Sequence, residues 1–285
     1  VKKAGGVYYT PSYIVDYIVK ETIGKKIESA KSLDDVARLK VCDPACGSGS
    51  FLVGAYQYLL DWHLDYYYKE ERRESSEKKG LIYKDASSQE WKLDIEEKRR
   101  ILTANIYGVD IDAQAVEVTK LSLFLKLLEN EGSALSKHGQ ASLFKISELK
   151  KILPSMHENI KCGNSLVGDG DLLKSQKGEE WLTLEEQKKL NIFNWRDEFP
   201  SVFADGGFDC IIGNPPYVKE YTNKDCFNIL HNSPYYRGKM DLWYFFGVLA
   251  VQFLKDNGLV GLIAPNNWNT NEGASLFRNF VLENA

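Results

Sequence analysis

The feature that most constrains this chain is a repeated unit: a short apolar run, an abrupt break into small or polar residues, then a segment with helical spacing. Residues 39–42 break into Asp43-Pro44-Ala45-Cys46-Gly47-Ser48-Gly49-Ser50 and are followed by the helical 51–64. Residues 106–109 end in Asp110-Ile111-Asp112 ahead of a helix over 113–128, with Val116, Leu121, Leu125 and Leu128 expected on its inner side. Residues 159–162 run into Gly163-Asn164-Ser165, and 208–212, the most strand-like run, into Gly213-Asn214-Pro215-Pro216. A helix over 240–255, a buried strand over 259–264 after Asn257-Gly258, and a helix over 272–282 complete the pattern. Strands alternating with helices predict an α/β fold with a doubly wound, mainly parallel sheet.

Thr10-Pro11 is a capping residue followed by proline, and Ile14, Ile18, Ile23 and Ile27 repeat at helical spacing behind it, so a helix over 11–28 opens the domain. Residues 66–98 contain charge-dense pieces and no steady apolar period except weakly near 91–95; they are read as an insertion. Residues 174–199 are expected as polar helices and loops. The units recur in pattern only: no stretch of sequence repeats at a fixed period, and no low-complexity tract is present.

Apolar residues at 44% and charged residues at 27% of 285 indicate a folded, water-soluble chain with one large domain. The longest apolar run, 242–254, is well short of the roughly 20 residues a bilayer span requires, so no membrane association is expected. The five cysteines are an odd number without paired metal-ligand spacing. They are read as reduced thiols of a cytoplasmic protein; three lie in or at the ends of strand-like runs, where burial as small hydrophobes is expected, and no metal is expected. A net charge of −4 argues against an autonomous clamp on DNA, because non-specific affinity for a duplex comes from clustered cations. The chain opens at Val1 and stops at Ala285 just after a helical pattern, which suggests a piece of a longer polypeptide ending before the last two strands of such a sheet.

Open parallel sheets bind ligands at the carboxyl ends of their strands. Here Asp43, Asp110, Asn164 and Asn214 are expected at four such ends. The small residues from Asp43 to Gly49 let backbone amides approach a carboxylate or phosphate at a helix N-terminus, although a tight structural turn would also use one or two of these glycines. Asp110 is placed to accept both hydroxyls of a ribose; a lone acidic residue there is more often a helix cap, a role open to Asp112.

Asn214-Pro215-Pro216-Tyr217 is the sharpest signal. An aromatic amino group such as that of adenine is a poor nucleophile because its lone pair is delocalised into the ring. The Asn214 side-chain oxygen and the Pro215 carbonyl can each accept one of its hydrogens, steering the lone pair toward an electrophile. Two prolines stiffen that presentation, and Tyr217 offers a flat face for an extruded base.

With these residues in place the chain resembles the amino-methylating adenine DNA methyltransferases, and more narrowly the catalytic region of single-chain restriction-modification enzymes. The likeness covers nearly the whole chain except the insertion. Tyr8-Tyr9-Thr10-Pro11 resembles the family's N-terminal cofactor motif, in which the threonine contacts the methionine carboxylate of S-adenosylmethionine. Asp43, Pro44, Ala45 and Gly47 match the methionine-binding loop. The resemblance further implies that Asp110 holds the ribose, Ile111 packs on the cofactor adenine, Asn164 bonds that adenine's amino group, and Pro216 lies near the cofactor; many relatives have aspartate where Asn164 stands. Asn214, Pro215 and Tyr217 would be catalytic, transferring the methyl group directly to a flipped adenine without metal or covalent enzyme intermediate. Residues 238–242 and 258–268 resemble later framework motifs. Residues 1–285 would then be the catalytic domain of a Rossmann-like S-adenosylmethionine-dependent methyltransferase. Nuclease and target-recognition domains would lie outside the chain, leaving weak affinity for double-stranded DNA.

The nearest alternative is a protein-glutamine or RNA amino-methyltransferase using the same Asn-Pro-Pro-Tyr device; the two N-terminal motifs favour the DNA enzymes. A non-catalytic cofactor-binding or DNA-docking module is disfavoured by intact Asn214 and Tyr217. Asp85, Glu90 and Lys92 faintly echo a metal-dependent nuclease, but such spacing is common by chance in charge-rich segments. His63, His138, His157 and His231 show no partner spacing, and Tyr66-Tyr67-Tyr68 is more simply the end of an amphipathic helix than a DNA contact.

Overall fold

The computed structural model describes residues 10–129, 154–168 and 184–284. Tyr8, Tyr9, His138 and residues 174–183 lie outside them. Five strands, β1 (Val41–Asp43), β4 (Ile106–Asp110), β5 (Ile160–Cys162), β6 (Phe208–Gly213) and β7 (Leu254–Leu262), form one sheet in the order β5-β4-β1-β6-β7, with β2 (Ile82–Lys84) and β3 (Trp91–Leu93) in a separate hairpin. Every pairing in the large sheet is parallel. The chain leaves β1 toward β4 on one side and returns to β6 on the other, so the strand order reverses at β1, where open sheets form their ligand crevice.

The period-two alternation of strands sorts side chains into two cores. Val41, Ile106, Ile160, Cys210 and Ile212 face one, covered by α1 (Ser12–Val19), α4 (Ser50–Tyr68), α6 (Ile95–Asn105) and α7 (Ala113–Leu128). Cys42, Tyr107, Val109, Phe208 and Ile211 face the other, covered by α9 (Trp195–Glu198), α10 (Pro200–Ala204), α11 (Trp243–Gln252) and α12 (Ser275–Asn284). The smaller helices are α2 (Lys25–Ser29), joined to α1 by a π-helical turn Lys20–Gly24, α3 (Leu33–Ala37), α5 (Glu70–Lys78) and α8 (Leu184–Leu190). Cys42 and Cys210 are buried in their strands as expected, and Cys46 in its loop, but Cys162 at the end of β5 is exposed. Among the described residues no helix is long and apolar enough to cross a membrane.

Residues 66–98, read as an insertion, carry regular structure that packs on the first core: α4 runs on to Tyr68, α5 follows, and the β2–β3 hairpin contributes Ile82 and Leu93. Other expectations need correction. The opening of α6 was missed because its inward residues are Glu97, Lys98, Ile101, Leu102 and Asn105, so its apolar period is interrupted by satisfied polar groups. Arg100 donates to Glu97 through Nε and a terminal nitrogen, both at 2.8 Å; the Tyr67 hydroxyl donates to Glu97 Oε1 at 2.8 Å; and Asn105 Nδ2 donates to the Leu39 carbonyl at 2.7 Å. His63, fully buried beside Arg100, has its pKa pushed down to about 4 by burial.

In α7 the buried residues are Val116, Thr119, Lys120, Leu123 and Leu127, whereas Leu121 and Leu125 are 56% and 63% exposed. The helix is turned from the expected face because Thr119, not a leucine, points at the glycine loop. Finally, the strand expected over 259–264 begins already at Leu254, ending α11 at Gln252.

Candidate active site

The structure brings the strand-end residues to one edge of the sheet. Asp43 ends β1, with its Oδ1 accepting the Ala45 amide at 3.0 Å. It is 2% exposed, and burial, reinforced by the neighbouring Asp110 carboxylate and opposed by the Ala45 amide, pushes its pKa up to about 8. Across the β1–β6 pairing, Gly213 packs so closely on this carboxylate that a Cβ would stand 2.6 Å from Asp43 Oδ1. Asp43 and the turn that follows Gly213 are therefore in contact at the point of strand reversal.

The loop after Asp43 is held from three sides. Asp110 Oδ2 accepts the Gly47 amide at 2.8 Å, Thr119 Oγ1 donates to the Gly47 carbonyl at 2.8 Å, and Ser165 Oγ donates to the Pro44 carbonyl at 2.6 Å. Gly47 and Gly49 adopt φ of 54° and 82°, left-handed values that side chains disfavour, so the loop can curl over the N-terminus of α4. Asp110 Oδ1 also accepts the Asp112 amide at 2.9 Å, and Asp112 caps α7 through Gln114, at 2.8 Å. Thus Asp112 is the cap, and Asp110 remains free of that role. Ile111, beside it, is 59% exposed. Asn164 follows β5, its Oδ1 accepting the Leu166 amide at 3.2 Å.

Asn214 follows β6 with both ends of its amide engaged: Nδ2 donates to Thr10 Oγ1 at 3.1 Å, and Oδ1 accepts a short hydrogen bond from the Tyr217 hydroxyl. That hydroxyl also lies 2.9 Å from the Ile263 carbonyl. Burial, with Asp241 adding, pushes Tyr217 up to about 12, so it remains a neutral phenol at physiological pH. Pro215 is buried, and Pro216 and Tyr217 are half-buried.

Thr119, Ser165 and Ile263 are site-holding residues that the sequence reading missed. Thr119 carries a signal in retrospect, being a small polar residue on the face shared with Val116 and Leu123; Ser165 and the Ile263 carbonyl carry none. A cleft of about 670 Å³ lies along α1, α4 and α7, but it meets these residues only at Thr10 and Ser48, so it is not the strand-end site itself. The nuclease echo has a structural explanation. Asp85 is 1% exposed and its carboxylate accepts from the Ser87 amide and hydroxyl, the Ser88 amide and, at 3.0 Å, Lys92, closing the turn of the β2–β3 hairpin.

This geometry can be set against known proteins. A family model described as Eco57I restriction-modification methylase matches residues 104–285, and one described as N-6 DNA Methylase matches residues 1–151. The chain belongs to the Eco57I restriction-modification methylase family. Among curated members it is 31% identical over 287 residues to the type II restriction enzyme and methyltransferase RM.Eco57I of Escherichia coli, covering 98% of this chain and 25% of that one. It is 24% identical over 415 residues to a putative type II restriction enzyme and methyltransferase of Methanocaldococcus jannaschii, covering 94% of this chain and 32% of that one. The chain thus spans about a quarter to a third of the length of these relatives. Its fold matches that of a nuclease-deletion mutant of the Type ISP restriction-modification enzyme LlaGI, solved in complex with a DNA substrate mimic. The TM-score is 0.53 at 17% identity, over 96% of this chain and 19% of that one.

Proposed function

We propose that this chain is the methyl-transfer part of a restriction-modification enzyme, moving a methyl group from S-adenosylmethionine to the exocyclic amino group of an adenine flipped out of double-stranded DNA. The observation that carries the reading is the Asn214 amide, fixed at the end of β6 by Thr10 and Tyr217 while its motif begins against Asp43.

The residues fit the cofactor. Ile111 is an apolar side chain left 59% exposed among polar strand ends, as suits a surface for the adenine ring. Asp110, whose oxygens each accept one backbone amide, keeps lone pairs for ribose hydroxyls. Thr10, Asp43, Pro44, Ala45 and Gly47 would receive the methionine end, Asn164 the adenine amino group, and Pro216 would line the same space. When bound, S-adenosylmethionine supplies an electrophilic methyl group.

The rest falls to side chains. Asn214 Oδ1 and the Pro215 carbonyl accept the two hydrogens of the target amine, which turns its lone pair away from ring conjugation, and the Tyr217 ring supports the extruded base. The work is positioning, so the groups need neither charge nor redox chemistry. With a net charge of −4, the chain contributes little to the grip on DNA, which falls to other parts of the enzyme. Replacing Asn214 by alanine in the full natural polypeptide is expected to lower methyl incorporation into DNA at least a thousandfold, a loss of about 4 kcal/mol of transition-state stabilisation, with S-adenosylmethionine affinity within about threefold of wild type. Comparable turnover in the variant would sink the assignment.

A further inference from the structure

The Asn214 amide is held from outside its own motif, by a hydroxyl 204 residues away in the chain. Thr10 is 5% exposed and sits immediately before Pro11, which caps α1. Two close approaches seat α1. A Cβ on Gly54 of α4 would stand 2.5 Å from Val15 Cγ1, and one on Gly261 of β7 would stand 2.6 Å from Ile18 Cγ2. The missing side chains let the helix lie against both elements, and this delivers Thr10 to the carboxyl end of β6.

On its other side the amide meets a hydroxyl with one hydrogen and two acceptors, Asn214 Oδ1 and the Ile263 carbonyl at 2.9 Å. The amide therefore has a second satisfied orientation. Turned over, Nδ2 donates to the Tyr217 oxygen while the Tyr217 hydrogen goes to Ile263. That orientation presents N–H groups to a substrate amine that itself needs acceptors. Thr10, whose hydroxyl can donate as well as accept, pairs with the amide in either orientation, so what it fixes is the place of the amide at the end of β6.

We propose that Thr10 is a positioning residue for methyl transfer, anchoring the Asn214 amide at the end of β6, and that the Tyr217 hydroxyl occupies Oδ1 until the target amine displaces it onto the Ile263 carbonyl. The proposal rests on the methyl-transfer reading above. It assigns Thr10 a duty toward the catalytic amide in addition to, or in place of, contact with the methionine carboxylate.

The test compares Thr10→Val, which keeps the shape and removes the oxygen, with Thr10→Ser, which keeps the oxygen. Both are made in the full natural polypeptide, with radiolabelled methyl incorporation into unmethylated bacteriophage DNA as the assay and cofactor affinity measured by calorimetry. Expected for Thr10→Val is a fall in kcat of about tenfold to a hundredfold at saturating S-adenosylmethionine and DNA, larger than any rise in cofactor Kd and with melting temperature little changed; Thr10→Ser recovers most of the rate. A wild-type kcat in Thr10→Val, a loss confined to cofactor Kd, or a serine variant as impaired as the valine one would each overturn the positioning role. A wild-type enzyme that methylates no adenine would overturn the functional reading and this proposal with it, whereas the other failures leave that reading standing.

Discussion

Asp43 places a carboxyl group in the interior of the sheet's ligand edge, and the cost can be measured. The group is 2% exposed and raised from an ordinary value of 3.8 to about 8. Each tenfold change in proton affinity corresponds to about 1.4 kcal/mol, so holding Asp43 in the folded interior lowers stability, relative to acid pH, by about 4 kcal/mol at pH 7 and about 6 kcal/mol at pH 9 and above. Because the folded value lies above the unfolded one, the stability linked to this proton is fully present below pH 3.8 and is lost as pH rises through about 8. The adjoining thiols Cys42 and Cys46 are themselves raised well above their ordinary value by burial, so they stay neutral over this window.

Asp43→Asn keeps an oxygen for the Ala45 amide and removes the titration. It should match wild type only below about pH 4 and exceed it at pH 9 by several kcal/mol, roughly 10 °C in melting temperature for a chain of this size. Thermal unfolding from pH 5 to 9 is the assay, and parallel pH curves for the two proteins would refute the reasoning. On the proposed function the ionised form of this carboxylate has a use at the cofactor site. A ligand carrying positive charge favours the ionised form, so S-adenosylmethionine binding to wild type should release a proton below pH 8 and tighten as pH rises toward it, while Asp43→Asn binds weakly and without that slope.

Asp110→Ala should abolish saturable S-adenosylmethionine binding in calorimetry, since it removes the proposed ribose acceptor and also the anchor of the Gly47 amide at 2.8 Å; retained affinity would place the cofactor elsewhere. Gly54→Ala should cost about 1–3 kcal/mol in urea unfolding through its 2.5 Å clash with Val15. It should also slow methyl transfer more than it weakens cofactor binding, because α1 carries Thr10; stability unchanged from wild type would show that α1 is not seated as described.

How much of this was legible in the sequence depends on which physical signal each element carries. Strands β1, β4 and β6 were found because parallel strands buried on both faces read as short apolar runs, and their polar ends stood out by contrast, whereas β5, at the sheet edge, gives a weaker run. Asn214, Asp43 and Asp110 were legible for the same reason. Helix α6 was not, since Glu97, Lys98 and Asn105 face inward and each bonds a group from another element: the Tyr67 hydroxyl, the Glu129 carbonyl and the Leu39 carbonyl. The orientation of α7 was misread because hydrophobic spacing favours Leu121 and Leu125, whereas the loop it supports demands the Thr119 hydroxyl and the slim Gly49 beside it, where a Cβ would meet Thr119 at 2.9 Å. The legible and the illegible parts of the site therefore divide by role. Motif residues announce themselves by composition, but the groups that aim them, Thr10 on Asn214, Thr119 on Gly47 and Ser165 on Pro44, are hydroxyls from other elements. A hydroxyl's partner is decided by packing between elements, and a linear sequence does not encode that in its spacing.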